Sequence, residues 1–233
     1  MASELDPWEI YDDSAPFAGL TYGPQRARMA AIGIGGGGLL VVTPGTQMTE
    51  ERWSQLASLG TPRFLLAPNA YHNVGIAAWK KRFPEARVVA HPRSIKRLRK
   101  QVPGVEFEDL SVLEAALPAG VRLLSPPQAR QGETWVSVKT KDGVGWFVTD
   151  SIMNEEKIPG GGVGFVMKLV GFRAGLMTNP FFKRVFLRDK PAYKQWVCSE
   201  LDRDRPNLFV PAHGRVLRGS DVTEQLREVT IHA

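Results

Sequence analysis

The segment from Phe64 to Ala90 restricts the fold more than any other part of the sequence. It begins with an apolar, strand-like run and passes through a loop into a stretch in which Ile76, Trp79 and Phe83 recur on one helical face. A second strand-like run, residues 85–90, completes it. The two strands of such a unit are parallel, because a helical crossover returns the chain to the same edge of the sheet. The segment therefore predicts a sheet with helices packed against it.

The loop inside this unit is a candidate site. Residues 67–75 read Ala-Pro-Asn-Ala-Tyr-His-Asn-Val-Gly. Ligand sites in α/β units gather beyond the carboxyl ends of the strands, so Asn69, Tyr71 and His72 are candidate functional residues. His91, directly after the next strand, is either a further ligand or acid or an ordinary exposed histidine.

Two later strands also end in metal-ligating residue types. Residues 135–149 predict a hairpin across the Asp142-Gly143 turn, and Asp150 follows its second strand. A short strand over residues 208–210 runs into Pro-Ala-His-Gly, which contains His213. An isolated Asp or His at a strand end can also simply cap neighbouring amides.

Taken in order, these features resemble the metallo-β-lactamase superfamily from about residue 29 to 230. The first motif of that superfamily reads His-x-His-x-Asp-His. Here His72 takes the place of its last His, and the earlier His, His and Asp positions fall on Ala67, Asn69 and Tyr71. The superfamily's mid-chain His falls near Ala129 and is also missing.

The resemblance implies an α/β fold, a four-layer αββα sandwich with mixed sheets. It predicts a lead-in segment over residues 1–28 and a single metallo-β-lactamase-like domain over residues 29–233. Within that domain, residues 158–188 are interpreted as a cap or insertion over the pocket. The alternative for residues 158–188 is a pair of helices that complete the core, or a dimer face.

The resemblance also implies a metal site. Asp150 matches the Asp that ends a later strand in the superfamily, and His213 matches the His of its Pro-Gly-His-Gly segment. With His72, these two residues belong to one of the two metal sites of the fold. We therefore expect His72, Asp150 and His213 to hold one divalent ion, zinc rather than iron, with absence of any metal as the alternative. Asp150, Tyr71 and Asn69 are the candidate catalytic residues.

The residues themselves leave the roles of Tyr71 and Asn69 open. Tyr71 either donates a proton or packs with its hydroxyl hydrogen-bonded. Asn69 either contacts a substrate or only terminates its strand.

Three functions fit this pattern. The first is a mononuclear metal-dependent hydrolase that uses metal-activated water on an ester, thioester, lactone or phosphoester. The second is a catalytically inactive binding or regulatory protein that keeps the fold. The third is a mononuclear iron oxygenase or another redox enzyme, because two His and one carboxylate also suit iron(II).

Composition narrows the partners. The net charge of +6 favours an anionic small-molecule substrate or partner. The basic run over residues 93–100 is interpreted as a solvated helix face, and no nucleic-acid module is recognised. No stretch predicts a transmembrane segment or a secretory signal, and Cys198 is the single cysteine, so we expect a cytoplasmic protein, with a homodimer as one option.

Overall fold

The structure is a computed structural model that describes residues 6–24 and 26–233. The chain divides after Arg122 into two compact units. Within the described residues, no helix is both long enough and apolar enough to cross a membrane.

The first unit contains one mixed sheet. Its strands are β1 (Glu9–Asp12), β2 (Phe17–Tyr22), β3 (Ala27–Gly33), β4 (Gly38–Val42), β5 (Thr61–Ala67), β6 (Arg87–Ala90) and β7 (Glu108–Asp109). In the part of this unit that the structure describes, the seven strands lie in chain order, antiparallel from β1 to β4 and parallel from β4 to β7. Its helices are α1 (Glu50–Leu59), α2 (Ile76–Arg82), α3 (Pro92–Gln101) and α4 (Leu110–Glu114).

The predicted strand-helix-strand unit is present as β5, α2 and β6. Leu65 of β5 pairs in parallel with Val88 of β6. Trp79 of α2 is fully buried, and its indole Nε1 donates to the carbonyl oxygen of Gly45 at 2.8 Å. The apolar face read from the sequence therefore packs inward, and this fixes the loop between β5 and α2 at the carboxyl end of the sheet.

Residues 9–22 contribute β1 and β2 to this sheet, although the sequence predicted only a lead-in segment there. Phe17 and Leu20 of β2 are buried, and Ala18 pairs with Ala31 of β3. The strands are short and joined by a turn that contains Pro16, so their alternation is too brief to stand out in the sequence.

The second unit contains a mixed sheet and a separate antiparallel pair. The strands are β8 (Val121–Leu124), which begins just before the division, β9 (Trp135–Thr140), β10 (Gly143–Val148), β11 (Ile152–Glu155), β12 (Gly175–Thr178), β13 (Leu208–Pro211) and β14 (Leu217–Arg218). The sheet order is β14-β13-β10-β9-β8, and β11 pairs with β12. The helices are α5 (Gly161–Leu169), α6 (Lys190–Asp204) and α7 (Val222–Ile231), and Phe182–Phe186 forms a π-helical turn.

The predicted hairpin is confirmed, with Thr140 of β9 opposite Gly143 of β10. Beside it, β13 runs parallel to β10. Trp135, Trp146 and Phe209 from these strands are fully buried and pack in one cluster with residues of α6 and α7. The mixed α/β class with mixed sheets is therefore confirmed.

Candidate functional site

The loop after β5 is held by Asn69. Its side chain is fully buried, and its Oδ1 accepts hydrogen bonds from the main-chain N–H of Tyr71 at 2.8 Å and of His72 at 3.2 Å. Asn and Asp side chains commonly close loops in this way. The oxygen of Asn69 therefore shapes the loop and fixes the position of the His72 main chain.

His72 is 8% exposed and follows this turn directly. Behind it, the N–H of Gly75 donates to the carbonyl oxygen of Pro44 at 3.1 Å. A Cβ at Gly75 would lie 2.3 Å from the carbonyl oxygens of Pro44 and Gly45, a distance that main-chain atoms do not tolerate. Close packing against the main chain of residues 44 and 45 thus explains why a glycine stands three residues after His72.

Tyr71 is not buried, in contrast to the packed side chain that the sequence offered as one alternative. The side chain is 42% exposed, and the guanidinium carbon of Arg97 on α3 lies 4.5 Å from the centre of its ring. A cation over an aromatic face is attracted by the negative face of the ring. The contact orients an accessible phenol beside the His72 loop.

His91 acts as a helix cap. Its Nδ1 accepts a hydrogen bond from the N–H of Arg93 at 3.1 Å, at the start of α3. Burial, and then the positive charge of Arg93, lower the pKa of His91. The role that its contacts support is therefore structural, as a neutral acceptor at a helix N-terminus.

Asp150 and His213 are brought together at one edge of the second sheet. Val148 of β10 and Pro211 of β13 are paired in the parallel register, and Asp150 and His213 each follow two residues later. Nε2 of His213 lies 3.3 Å from Oδ1 of Asp150, and the two side chains are 18% and 20% exposed. Parallel strand ends thus place an imidazole and a carboxylate side by side.

A residue that the sequence analysis missed, Glu133, holds the Asp150 segment. Glu133 is fully buried. Its Oε1 accepts from the main-chain N–H groups of Asp150 at 2.9 Å and Ser151 at 3.1 Å, and from the hydroxyl of Thr149 at 2.7 Å. The hydroxyl of Ser151 also donates to it at 3.1 Å. Four donors from residues 149–151 thus meet at one buried oxygen of Glu133.

The hairpin register carries the signal that would have revealed Glu133. Val136 of β9 pairs with Phe147 of β10, and continuing this pairing by three residues sets Glu133 opposite Asp150.

The indole Nε1 of Trp135 donates to Oε1 of Glu133 at 3.2 Å. Burial, and then the negative charge of Glu133, raise the pKa of Tyr193, which keeps this core phenol neutral.

The His213 loop is pinned by β11. The N–H of Asn154 donates to the carbonyl oxygen of His213 at 3.0 Å, and its Nδ2 donates to that of Arg215 at 3.0 Å. Gly214, between them, has φ +95°, and a Cβ there would lie 1.9 Å from the carbonyl oxygen of Asn154. The Gly after His213 therefore allows two main-chain segments, at Gly214 and at Asn154, to approach closely.

Two further positions show no functional contact. Ala129, near which the sequence predicts the superfamily's mid-chain His to fall, is 1% exposed and forms a main-chain bridge to Leu187. Cys198 is a free, partly buried thiol within α6.

Comparison with known proteins supports the fold. No protein-family model matches the chain, and no curated protein does. Among solved structures, the chain is similar to the mono-zinc form of the metallo-β-lactamase FIM-1 from Pseudomonas aeruginosa, with 13% identity, a TM-score of 0.59 and coverage of 98% of this chain and 96% of that one.

A metallo-β-lactamase from Erythrobacter litoralis matches at 14% identity and a TM-score of 0.59, over 97% of this chain and 92% of that one. One from Pontibacter korlensis matches at 9% identity and a TM-score of 0.58, over 97% and 100%. The chain therefore has the metallo-β-lactamase fold, as its sequence predicted, at identities that carry the fold alone.

Proposed function

We propose that this protein is a mononuclear metal-dependent hydrolase in which His72, Asp150 and His213 hold one divalent ion. The observation that carries the proposal is the pairing of Asp150 with His213, 3.3 Å apart at the ends of two parallel strands. His72 completes the set in the proposal, because it also follows the carboxyl end of a strand, β5, and is nearly buried.

The chemistry of the donors fits such an ion. Each of the three residues offers one ligand atom, an imidazole nitrogen or a carboxylate oxygen. Catalytic zinc sites characteristically use three protein ligands of these kinds and keep a position open for water, so we propose zinc rather than iron. When bound, such an ion supplies Lewis acidity and lowers the pKa of a coordinated water towards about 7.

The remaining residues supply positioning and proton transfer. Glu133 and Asn154 fix the main chain that carries Asp150 and His213, so these side chains lose little freedom when they engage a ligand. Asn69 does the same for His72. Tyr71, accessible and oriented by Arg97, is proposed to donate a proton to the leaving group of an ester, thioester, lactone or phosphoester.

The test is hydrolysis by protein that is stripped with a chelator and reloaded with zinc. We expect turnover of at least one of the four substrate classes that chelation abolishes, and a fall of at least a hundredfold in kcat in Asp150→Ala. Asp142→Ala removes a carboxylate from the turn of the same hairpin and should leave kcat within about twofold. Equal rates in Asp150→Ala and in the parent protein would contradict the proposal, and consumption of O₂ by iron-loaded protein, without hydrolysis of any of the four substrate classes, would favour the oxygenase.

One observation favours a second candidate, an inactive binding or regulatory protein. The positions of the superfamily's missing ligands serve local structure here, since Asn69 closes its own loop and Ala129 packs in the core. A chain that binds no zinc at neutral pH and hydrolyses none of the substrates would support that candidate.

A further inference from the structure

The exposed apolar side chains are concentrated in one part of the second unit. Among the described residues, eleven large hydrophobic side chains are exposed, and seven of them fall between residues 163 and 185. We call these seven the apolar patch: Val163, Phe165, Val166, Leu169, Val170, Phe181 and Val185. Clusters of this kind are uncommon on proteins that do not use them for binding.

Helix α5 carries most of the patch, because the residue that it buries is a glycine and its larger apolar side chains are exposed. Gly164 is its buried residue, and a Cβ there would lie 1.6 Å from the carbonyl oxygen of Pro159. With 3.6 residues per turn, Val166 and Leu169 lie on the side of the helix away from Gly164, and they are 58% and 70% exposed. The helix therefore turns its apolar face outward, and the alternative in which this region completes the core does not hold for α5.

Segment 181–185 joins the same surface. Nη1 of Arg184 donates to the carbonyl oxygen of Val170 at 2.7 Å, which ties the π-helical turn to the end of α5. Phe181 is 54% exposed and packs edge-on against Phe186, with ring centres 5.4 Å apart.

The net positive charge of the chain is located in the same segment. Residues 157–190 contain seven Lys and Arg and one Asp, a net charge of +6 that equals the net charge of the whole chain. Arg173, Lys183 and Arg184 donate to main-chain carbonyl oxygens, which do not neutralise their charge. Burial, and then the neighbouring Lys190, Arg184 and Lys194, lower the pKa of Lys183, as expected where cations crowd.

We propose that the apolar patch and its basic residues dock this protein on the surface of a membrane that contains anionic lipids. An outward apolar face flanked by Lys and Arg is what an interfacial helix needs to bury its side chains among acyl chains while its cations meet lipid phosphates. A second copy of the chain fits less well, because a twofold contact through this surface would set one +6 segment against another. The proposal does not depend on the metal site.

The experiment is cosedimentation of the full chain with vesicles of phosphatidylcholine, with and without about 30% phosphatidylserine. We expect binding to the anionic vesicles that is at least tenfold tighter than to the neutral ones and that weakens above about 0.1 M salt. Phe165→Ser/Leu169→Ser and, separately, Lys168→Glu/Arg173→Glu should each weaken it at least tenfold. All four positions are exposed, so the melting temperature should not change.

Two matched controls separate docking from general stickiness and charge. Ile10→Ser/Val74→Ser removes exposed apolar side chains outside the patch, and Lys96→Glu/Arg99→Glu reverses exposed charges on the basic helix α3. Both should stay within about twofold of the parent chain. No binding to anionic vesicles, or equal losses in the controls, would overturn the proposal. So would a dimer in sedimentation velocity that Phe165→Ser/Leu169→Ser dissociates while vesicle binding is absent.

Discussion

The loop that carries His72 is held by one amide side chain, whereas the segment that carries Asp150 is held by a buried glutamate. Asn69 closes the first loop with two hydrogen bonds. At the second, Oε1 of Glu133 gathers donors from residues 149–151. The Asp150 segment has four such hydrogen bonds and the His72 loop has two, so the Asp150 segment is the more strongly preorganised of the two.

Removal of Glu133 should have the largest effect on stability. Glu133→Ala leaves several buried donors without their acceptor, and we expect a loss of about 4 kcal/mol in the free energy of unfolding, measured by chemical denaturation. Glu133→Gln keeps an acceptor of the same shape and should lose about 2 kcal/mol. Glu114→Ala, an exposed carboxylate, should stay within about 0.5 kcal/mol. Equal stability of Glu133→Ala and the parent chain would show that Glu133 does not hold the Asp150 segment.

The glycines after His72 and His213 test the two regions by the same substitution. Gly214→Ala meets both a positive φ and a close carbonyl oxygen, and we expect a loss of about 3 kcal/mol in the free energy of unfolding. Gly75→Ala meets only the carbonyl oxygens of Pro44 and Gly45, and should lose about 2 kcal/mol. Gly162→Ala has open space and no positive φ, so it should not destabilise. The reverse order of the two losses would show that the comparison is wrong.

The amide of Asn69 should matter less than Glu133. Asn69→Ala removes one neutral acceptor for two main-chain donors, and we expect a loss of about 1.5 kcal/mol by thermal unfolding of metal-free protein. Asn69→Asp retains the acceptor oxygen and should recover most of that loss. If both variants lose the same amount, the side-chain oxygen does not hold the loop.

The smallest effect is expected at His91 and depends on pH. Its pKa is lowered in the folded state, so folding favours the neutral imidazole, and this contribution is present above the unfolded pKa of about 6.5 and is lost as pH falls below it. His91→Ala should cost about 1 kcal/mol at pH 8, and His91→Asn should keep the cap but lose the pH dependence. Unfolding followed at pH 8 and pH 5 checks this, and an unchanged slope in His91→Asn would contradict it.

Much of the fold could be predicted because its periodic segments are long enough to be recognised. The strand-helix-strand unit around His72 and the hairpin before Asp150 both read correctly from apolar spacing and turn residues. Strands β1 and β2 were missed because they are short, and the outward face of α5 was missed because periodicity gives a face without saying what it meets.

The candidate site was predicted in part for a similar reason. Asp150 and His213 end strands whose parallel pairing brings them together, and their spacing from the strand ends was visible in the sequence. Glu133 was not, because its role depends on the register of a hairpin and on the complete burial of a charge, which residue type alone argues against. The roles of Tyr71 and Asn69 depended on tertiary contacts with Arg97 and with the loop main chain.

The most direct test of the central claim is the zinc stoichiometry of metal-stripped protein after titration with zinc and removal of the excess. We expect one ion per chain in the parent protein, and loss of that ion in each of His72→Ala, Asp150→Ala and His213→Ala. His91→Ala, which alters a capping histidine, should retain it. Absence of zinc from the parent protein, or full retention of zinc in His72→Ala, would contradict a centre shared by the three residues.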